Sequence, residues 1–180
     1  MSRGGLLVMA GGGHSHALVL KRWAMKPQQR PKQSIVLVNR SSTALYSGMV
    51  PGFIAGIYKR DELAIDLRQL CDRAGVAFVE AEITGLNSER NLLHLRDRPA
   101  LHFNWLSLDV GAVSRPSATG VPIKPLEASL SFLEGEDPSD PNPLRVIGAG
   151  AAGLEVVLAL RRRWPERELQ LQQRRGQLDP

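Results

Sequence analysis

An α/β architecture is predicted by three features of the chain. The apolar run Leu6-Leu7-Val8-Met9-Ala10 enters Gly11-Gly12-Gly13, and the run Leu144 to Ile147 enters Gly148-Ala149-Gly150-Ala151-Ala152-Gly153. Each glycine set is followed by a stretch of helical length, and a β-rich run, Ser34-Ile35-Val36-Leu37-Val38, follows the first of these. Strand, glycine turn, helix and strand in that order spell a βαβ unit, so the fold expected is Rossmann-like, with a parallel sheet and a second unit of the same kind begun near the C-terminus.

Taken in order, residues 5–10 form a buried strand and 14–26 a helix offering Ala17, Leu18, Leu20 and Trp23 for packing. Residues 41–58 mix apolar residues with turn formers (Ser47-Gly48, Pro51-Gly52, Gly56), which predicts a structured loop or a short broken helix. A helix follows over about 61–74, capped by Asp61, with Leu63, Leu67, Leu70, Cys71 and Ala74 on its apolar face and Gly75 ending it. Val76 to Ile83, Asn91 to Leu95 and Leu101 to Asp109 read as three short strands, a β-meander with a polar turn at Asn87-Ser88-Glu89-Arg90. The acidic, proline-rich segment 134–143 reads as a linker. After it Leu144 to Ile147 is a strand, Leu154 to Arg163 a helix that stops before Pro165, and Glu168 to Gln172 a returning strand. The domain plan is therefore 1–133, a linker at 134–143, and the beginning of a second domain at 144–180.

Composition narrows the function classes. With 180 residues, 43% of them apolar and 23% charged, the chain can bury a core and has the balance of a globular protein. The net charge of +5 is scattered; the densest basic run, Arg161-Arg162-Arg163, closes a helix, where cations favour the helix dipole, so nucleic acid is not an expected partner. The single cysteine, Cys71, excludes an internal disulfide, a CxxC pair and a cysteine zinc site, and suits a reducing, cytoplasmic setting. The first apolar run is too short for a secretory signal, and no apolar stretch approaches a membrane span.

The chemistry rests on the glycines. Gly148, Gly150 and Gly153 fit G-x-G-x-x-G between strand and helix. In that pattern the first glycine allows the tight turn and the second lets backbone approach a pyrophosphate. The third lets helix pack on strand, while the helix N-terminus presents unpaired N–H groups to the phosphates. Glu155, just inside this helix, reads from the residues alone as a helix-start residue and no more. In the first set Gly11 and Gly13 hold the first two positions, but His16 stands where the third glycine belongs, and a side chain there pushes helix from strand unless packing accommodates it. Asn39, followed by Arg40, replaces the acidic residue that ordinarily takes a ribose hydroxyl at the end of the second strand; an amide can still make that hydrogen bond.

Four segments together, Val8 to Ala17 (VMAGGGHSHA), Leu37 to Gly56 (LVNRSSTALYSGMVPGFIAG), Leu106 to Ala112 (LSLDVGA) and Gly148 to Glu155 (GAGAAGLE), resemble the FAD/NAD-linked oxidoreductases of the pyridine nucleotide-disulfide reductase superfamily. The likeness is strongest to the flavoprotein module fused to selenide, water dikinase, in which a histidine-bearing glycine turn is usual, and next to the type II NADH dehydrogenases. The resemblance implies that Gly11, Gly12, Gly13 and the amides of His14, Ser15 and His16 hold the FAD pyrophosphate, that Asn39 and Arg40 face the adenosine ribose, and that Ile83 offers backbone to the adenine. It places Ser47, Gly48, Met49 and Pro51 near the flavin, has Asp109-Val110-Gly111 return the chain past the cofactor, and starts the NAD(P)H site at Gly148, Gly150, Gly153 and Glu155. Enzymes of this family continue through a complete second dinucleotide domain, a Gly-Asp return strand and an interface domain, of which only the first βαβ step is present here. The implied function is the FAD-binding portion of an NAD(P)H-dependent oxidoreductase that passes electrons to a quinone or another small-molecule acceptor, completed by a C-terminal half or a fused partner. The rival is a non-catalytic nucleotide-binding or regulatory module.

Plainer roles stand beside these. His14 and His16, with His94 and His102 distant in sequence and no cysteine partner, are weak metal ligands. Cys71 reads as a buried structural thiol, Tyr46 and Trp105 as core or rim aromatics, and Asp109 as a capping residue as readily as a cofactor contact.

Overall fold

A computed structural model describes residues 4–112, 114 and 120–173. They divide into two compact units built from interleaved stretches, one of Met1–Ala44 and Ala64–Ala112, the other of Leu45–Leu63 and Val113–Pro180.

In the first unit β1 (Leu6–Ala10), helix α1 (His14–Met25) and β2 (Ser34–Asn39) form the expected βαβ step. With β5 (Ala77–Glu80) and β9 (Trp105–Leu108) these strands make a four-stranded sheet in the order β5-β2-β1-β9, every neighbour parallel. Side chains alternate across it. Met9, Ile35 and Leu37 bury on one face with Leu20 of α1 and with Leu67, Cys71 and Ala74 of helix α3 (Leu67–Ala74). Val8, Ala10, Val36 and Val38 bury on the other against Ala81, Leu93, Leu95 and Phe103. Both faces are covered, which is why β1 and β2 read as unbroken apolar runs.

Several expected boundaries are corrected. Within α1, Leu18 is exposed and His16 is buried with Ala17 and Leu20, because only positions near 16, 20 and 23 share the sheet-facing side of a 3.6-residue turn. The single helix expected at 61–74 begins at Leu67. Asp61–Leu63 make only a 3₁₀ turn, and Ala64–Asp66 are β4, which pairs with β3 (Thr43–Leu45). The cap is Asp66, whose carboxylate accepts from the Gln69 N–H at 2.9 Å, and Gly75 closes the helix at φ +66°.

The three expected meander strands are really five segments. Val76 to Ile83 splits into β5 in the parallel sheet and the start of β6 (Ile83–Asn87), and Leu101 to Asp109 splits into the end of β8 (Arg98–His102) and β9. The antiparallel sheet is β6, β7 (Leu92–Leu95) and β8. Its first turn is the polar one expected, with the Asn87 side chain accepting from the Arg90 N–H.

Of residues 41–58, the part from Leu45 lies in the second unit and contributes a 3₁₀ turn at Ser47–Met49 and the short helix α2 (Val50–Ile54), the broken helix expected. A helix without counterpart in the sequence reading, α4 (Leu126–Glu134), buries Leu130 and Leu133. Then β10 (Leu144–Ile147), α5 (Ala151–Arg163) and β11 (Leu169–Gln172) repeat the βαβ step, with β10 and β11 parallel. Their core joins Val50, Phe53, Ile54, Leu63, Leu130, Leu133, Ala159, Leu160 and Trp164.

The acidic segment before β10 is tied down by Arg167. That guanidinium is 3% exposed, lies 2.7 Å from the Glu136 carboxylate, donates to the Asp137 carbonyl and stacks on Trp164 at 5.2 Å.

Cys71 is fully buried between α3 and the sheet, and burial, reinforced by the Asp72 carboxylate, pushes its thiol up from 9.0 to about 12. Because the folded value lies above the unfolded one, this group's contribution to stability is intact below pH 9 and is lost as pH rises towards 12. A thiol-reactive disulfide reagent at neutral pH is expected to modify Cys71 only after denaturant is added; labelling of the native protein at the rate of a free thiol would contradict this burial.

Candidate functional site

The two glycine turns share one backbone plan. Gly11 and Gly148 both take positive φ, +91° and +118°, and each donates its N–H to the strand beyond the helix, to Val38 and Gln172 carbonyls at 2.8 Å. Gly13 and Gly150 are the N-caps of α1 and α5, both extended, and each accepts the first helical bond at 3.0 Å, from Ala17 and Leu154. Neither helix has an acidic residue in its first turn.

Their surroundings differ. At the second turn, among the described residues, a Cβ added to Gly148 or Gly150 meets nothing within 4 Å, and no side chain accepts from the first amides of α5. A Cβ on Gly153 collides with the Gly148 carbonyl, so the third glycine performs the close helix-to-strand packing of the motif. This corner offers an open helix N-terminus to an anion and fits the pyrophosphate of a dinucleotide.

The first turn is packed by protein. A Cβ on Gly11 or Gly13 collides with Asp109, and one on Gly12 with Leu67. Gly12 N–H donates to Asn39 Oδ1 at 2.9 Å, while Asn39 Nδ2 donates to the Ser41 carbonyl at 2.8 Å, so both ends of this amide brace the turn. Gly13 N–H donates to the Asp109 carbonyl at 3.1 Å, and His16 N–H to Asp109 Oδ2 at 3.0 Å. The Asp109 carboxylate therefore caps α1 from the end of β9. His14 and Ser15, the first two residues of α1, are exposed. The glycines fit close backbone approach there, and the carboxylate is the group an incoming anion meets.

His16 is accommodated by hydrogen bonding. Its Nδ1 lies 2.6 Å from the Gly11 carbonyl and its Nε2 2.8 Å from Ser107 Oγ. A carbonyl only accepts, so Nδ1 carries a proton and donates to Gly11, while Nε2 pairs with the Ser107 hydroxyl, which can donate or accept. Where Gly153 lets α5 touch its strand directly, an imidazole joins α1 to β1 and β9.

Asn39 and half-buried Asp109 thus converge on the first turn, with Arg40 exposed beyond β2. Val110 is 65% exposed, and Gly111, at φ +74°, has open space around it. Ile83 opens β6 opposite Leu95 and packs on the sheet face that holds Val8 and Ala10. Trp105, on β9, is half exposed.

In the second unit Ser47, Gly48 and Pro51 line a cleft of about 540 Å³ together with Gly52, Ile57, Glu155, Leu158 and Ala159. Three of the four residues expected near a flavin thus line one cleft with Glu155, one of the four expected to begin the NAD(P)H site; Gly148, Gly150 and Gly153 do not line it. Met49 packs into the core beside it. Gly52, Ile57, Leu158 and Ala159 were not expected as lining residues, nor Ser107 as the partner of His16, although all of them lie close in sequence to flagged positions. Among the described residues no group of three His, Cys, Asp or Glu is placed to hold a metal ion, and no helix is long and apolar enough to cross a membrane.

No protein-family profile matches the chain, and no curated protein matches it by sequence. Solved structures do match in fold. The chain is similar to reduced CoADR-RHD of Bacillus anthracis, at a TM-score of 0.72 and 19% identity over 94% of this chain and 33% of that one. It is similar to the water-forming NADH oxidase of Lactobacillus brevis bound to NADH, at 0.70 and 16% over 94% and 40%. A third match is the sulfide:quinone oxidoreductase of Aquifex aeolicus, at 0.60 and 16% over 79% and 34%. The chain spans 33–40% of the length of these structures, and the likeness shows a Rossmann-like α/β fold in common with them.

Removing the hydroxyl in Ser107→Ala leaves the buried Nε2 of His16 without its partner, at an expected cost of about 1–3 kcal/mol in chemical denaturation, whereas Ser107→Thr recovers most of that loss. Equal stability of all three proteins would show that the imidazole bond is immaterial.

Proposed function

We propose that this chain is the FAD-binding portion, with the first step of the NAD(P)H-binding portion, of an NAD(P)H-dependent flavin oxidoreductase. Residues 1–133 would serve FAD, 144–180 would begin the NAD(P)H site, and 134–143 would join them. The observation that carries the proposal is the cleft in which Ser47, Gly48 and Pro51 meet Glu155 of the second glycine-turn helix. In this reading the flavin ring and the nicotinamide meet in that cleft. Duplication of the strand–turn–helix–strand step supports it, as does the fold shared with the NADH oxidase and the sulfide:quinone oxidoreductase.

In this reading Gly11, Gly12 and Gly13 permit close backbone approach, and the N–H groups at His14, Ser15 and His16 face the FAD pyrophosphate. Asn39 and Arg40 lie at the ribose, Ile83 offers backbone to the adenine, and Val110 and Gly111 line the returning loop. Ser47, Gly48, Met49 and Pro51 shape the flavin end. Gly148, Gly150 and Gly153 hold the NAD(P)H pyrophosphate, with Glu155 at the mouth of the cleft. When bound, the flavin supplies hydride acceptance from NAD(P)H and release of electrons to a quinone or another small-molecule acceptor. The chain supplies orientation and a partly apolar, open cleft lined by Ile57, Leu158 and Ala159.

A second reading, a nucleotide-binding or regulatory module without catalysis, is favoured by one observation: the Asp109 carboxylate already satisfies the amide of His16 at the first helix. Reconstitution separates the two. A yellow protein whose visible absorbance bleaches on adding NADH supports the oxidoreductase, and bound nucleotide that NADH leaves coloured supports the module. Gly150→Val provides an independent check, since none of the described residues stands within 4 Å of its added Cβ. Folding should be kept to within about 1 kcal/mol while NADH affinity falls at least about tenfold. Undiminished NADH binding by this variant would remove the second turn from the site.

A further inference from the structure

Resting on the assignment of the first turn to the FAD diphosphate, we infer that Asp109 sets the phosphate affinity of that turn by holding a negative charge in the place where the diphosphate is to be received. Three contacts fix the carboxylate there. Asp109 N–H donates to the Ala10 carbonyl at 2.8 Å, its own carbonyl accepts from Gly13, and Oδ2 accepts from the amide of His16, the third residue of α1. Gly13 must lack a side chain because the same carboxylate lies against it.

A helix N-terminus attracts one anion at a time: two negative groups within several ångströms repel by an energy that partial burial keeps from full screening. Asp109 is half buried, so its charge opposes a phosphate at His14 and Ser15 instead of dissipating into solvent. A diphosphate therefore binds either against this repulsion or after the Asp109 side chain rotates off His16, and in both cases affinity is lost. Among the described residues no side chain accepts from the first amides of α5, as Asp109 does from His16 at the first turn. Of two turns with the same backbone plan, the second is open to a phosphate and the first is held shut by its own aspartate. The assignment makes Asp109 a specificity-determining residue: ligands whose adenine and flavin ends add binding energy beyond the diphosphate occupy the first turn, and small phosphates do not.

Asp109→Asn tests this, because the amide oxygen still accepts from His16 N–H while the charge is gone. Binding of ADP and of FAD to the full chain would be measured by calorimetry beside adenosine, which lacks the phosphates. Thermal melting would establish that both proteins are folded. The expected result is that Asp109→Asn binds ADP and FAD about tenfold or more tightly, with adenosine unchanged and the gain shrinking as salt is raised. Equal or weaker ADP and FAD binding by the variant, with wild type binding both, would overturn the inference and leave the FAD assignment standing. Failure of both proteins to bind either ligand would overturn the assignment itself, and the inference with it.

Discussion

The first unit depends on β1 being paired on both edges and buried on both faces. Its carbonyl and amide groups are committed to β2 on one side and β9 on the other, and Met9 packs towards the helices while Val8 and Ala10 pack towards the antiparallel sheet. A strand held this firmly leaves the chain one way out, at Ala10, and the residue after it must turn with positive φ. Gly11 does so without the strain a side chain would bring. The position of α1, and of every amide at its N-terminus, follows from that exit. Because β9 lies beside β1, the residue that ends it, Asp109, is delivered to the same corner.

The same constraint is met differently at the second turn. There the strand is paired with β11, the third glycine lets helix and strand touch, and no neighbouring strand end supplies a carboxylate among the described residues. At the first turn an imidazole fills the gap that Gly153 closes by contact, and it does so at no loss of hydrogen bonding because Gly11 and Ser107 satisfy both ring nitrogens. The contrast has a functional side. A turn braced by Asn39, His16 and Asp109 is rigid and already satisfied; a turn lined by bare glycines is open to a ligand's phosphates.

In the second unit the cleft rests on packing between short elements. Phe53 and Ile54 of α2 bury with Ala159 and Leu160 of α5, which brings the 3₁₀ turn at Ser47 beside Glu155. Arg167 holds the acidic segment before β10 through Glu136 and a backbone carbonyl, so residues rich in proline and aspartate lie against the unit despite having no apolar period. Ile147, Leu154, Leu158 and Leu171 remain exposed around the two-stranded sheet.

Periodicity and punctuation in the chain determined the local steps by themselves. Apolar runs ending in glycine could only be strands entering tight turns, so both βαβ units, the helix end at Arg163 and the polar turn at Asn87 were legible, and the buried character of Cys71 followed from helical spacing. Assignment of short strands to sheets was not legible, because Val76 to Ile83 and Leu101 to Asp109 are continuous in pattern and are divided only by which partner each half finds. Ala64–Asp66 became a strand for the same reason, its pairing with β3 outweighing its helical context. The partners of His16, the bracing of Gly12 by Asn39, the seat of the Asp109 carboxylate and the meeting of Ser47 with Glu155 were decided by tertiary structure alone. Apart from the short reach of His16 to the Gly11 carbonyl, each is a contact between residues more than twenty positions apart, and local sequence carries no record of where a distant strand end or side chain will be brought.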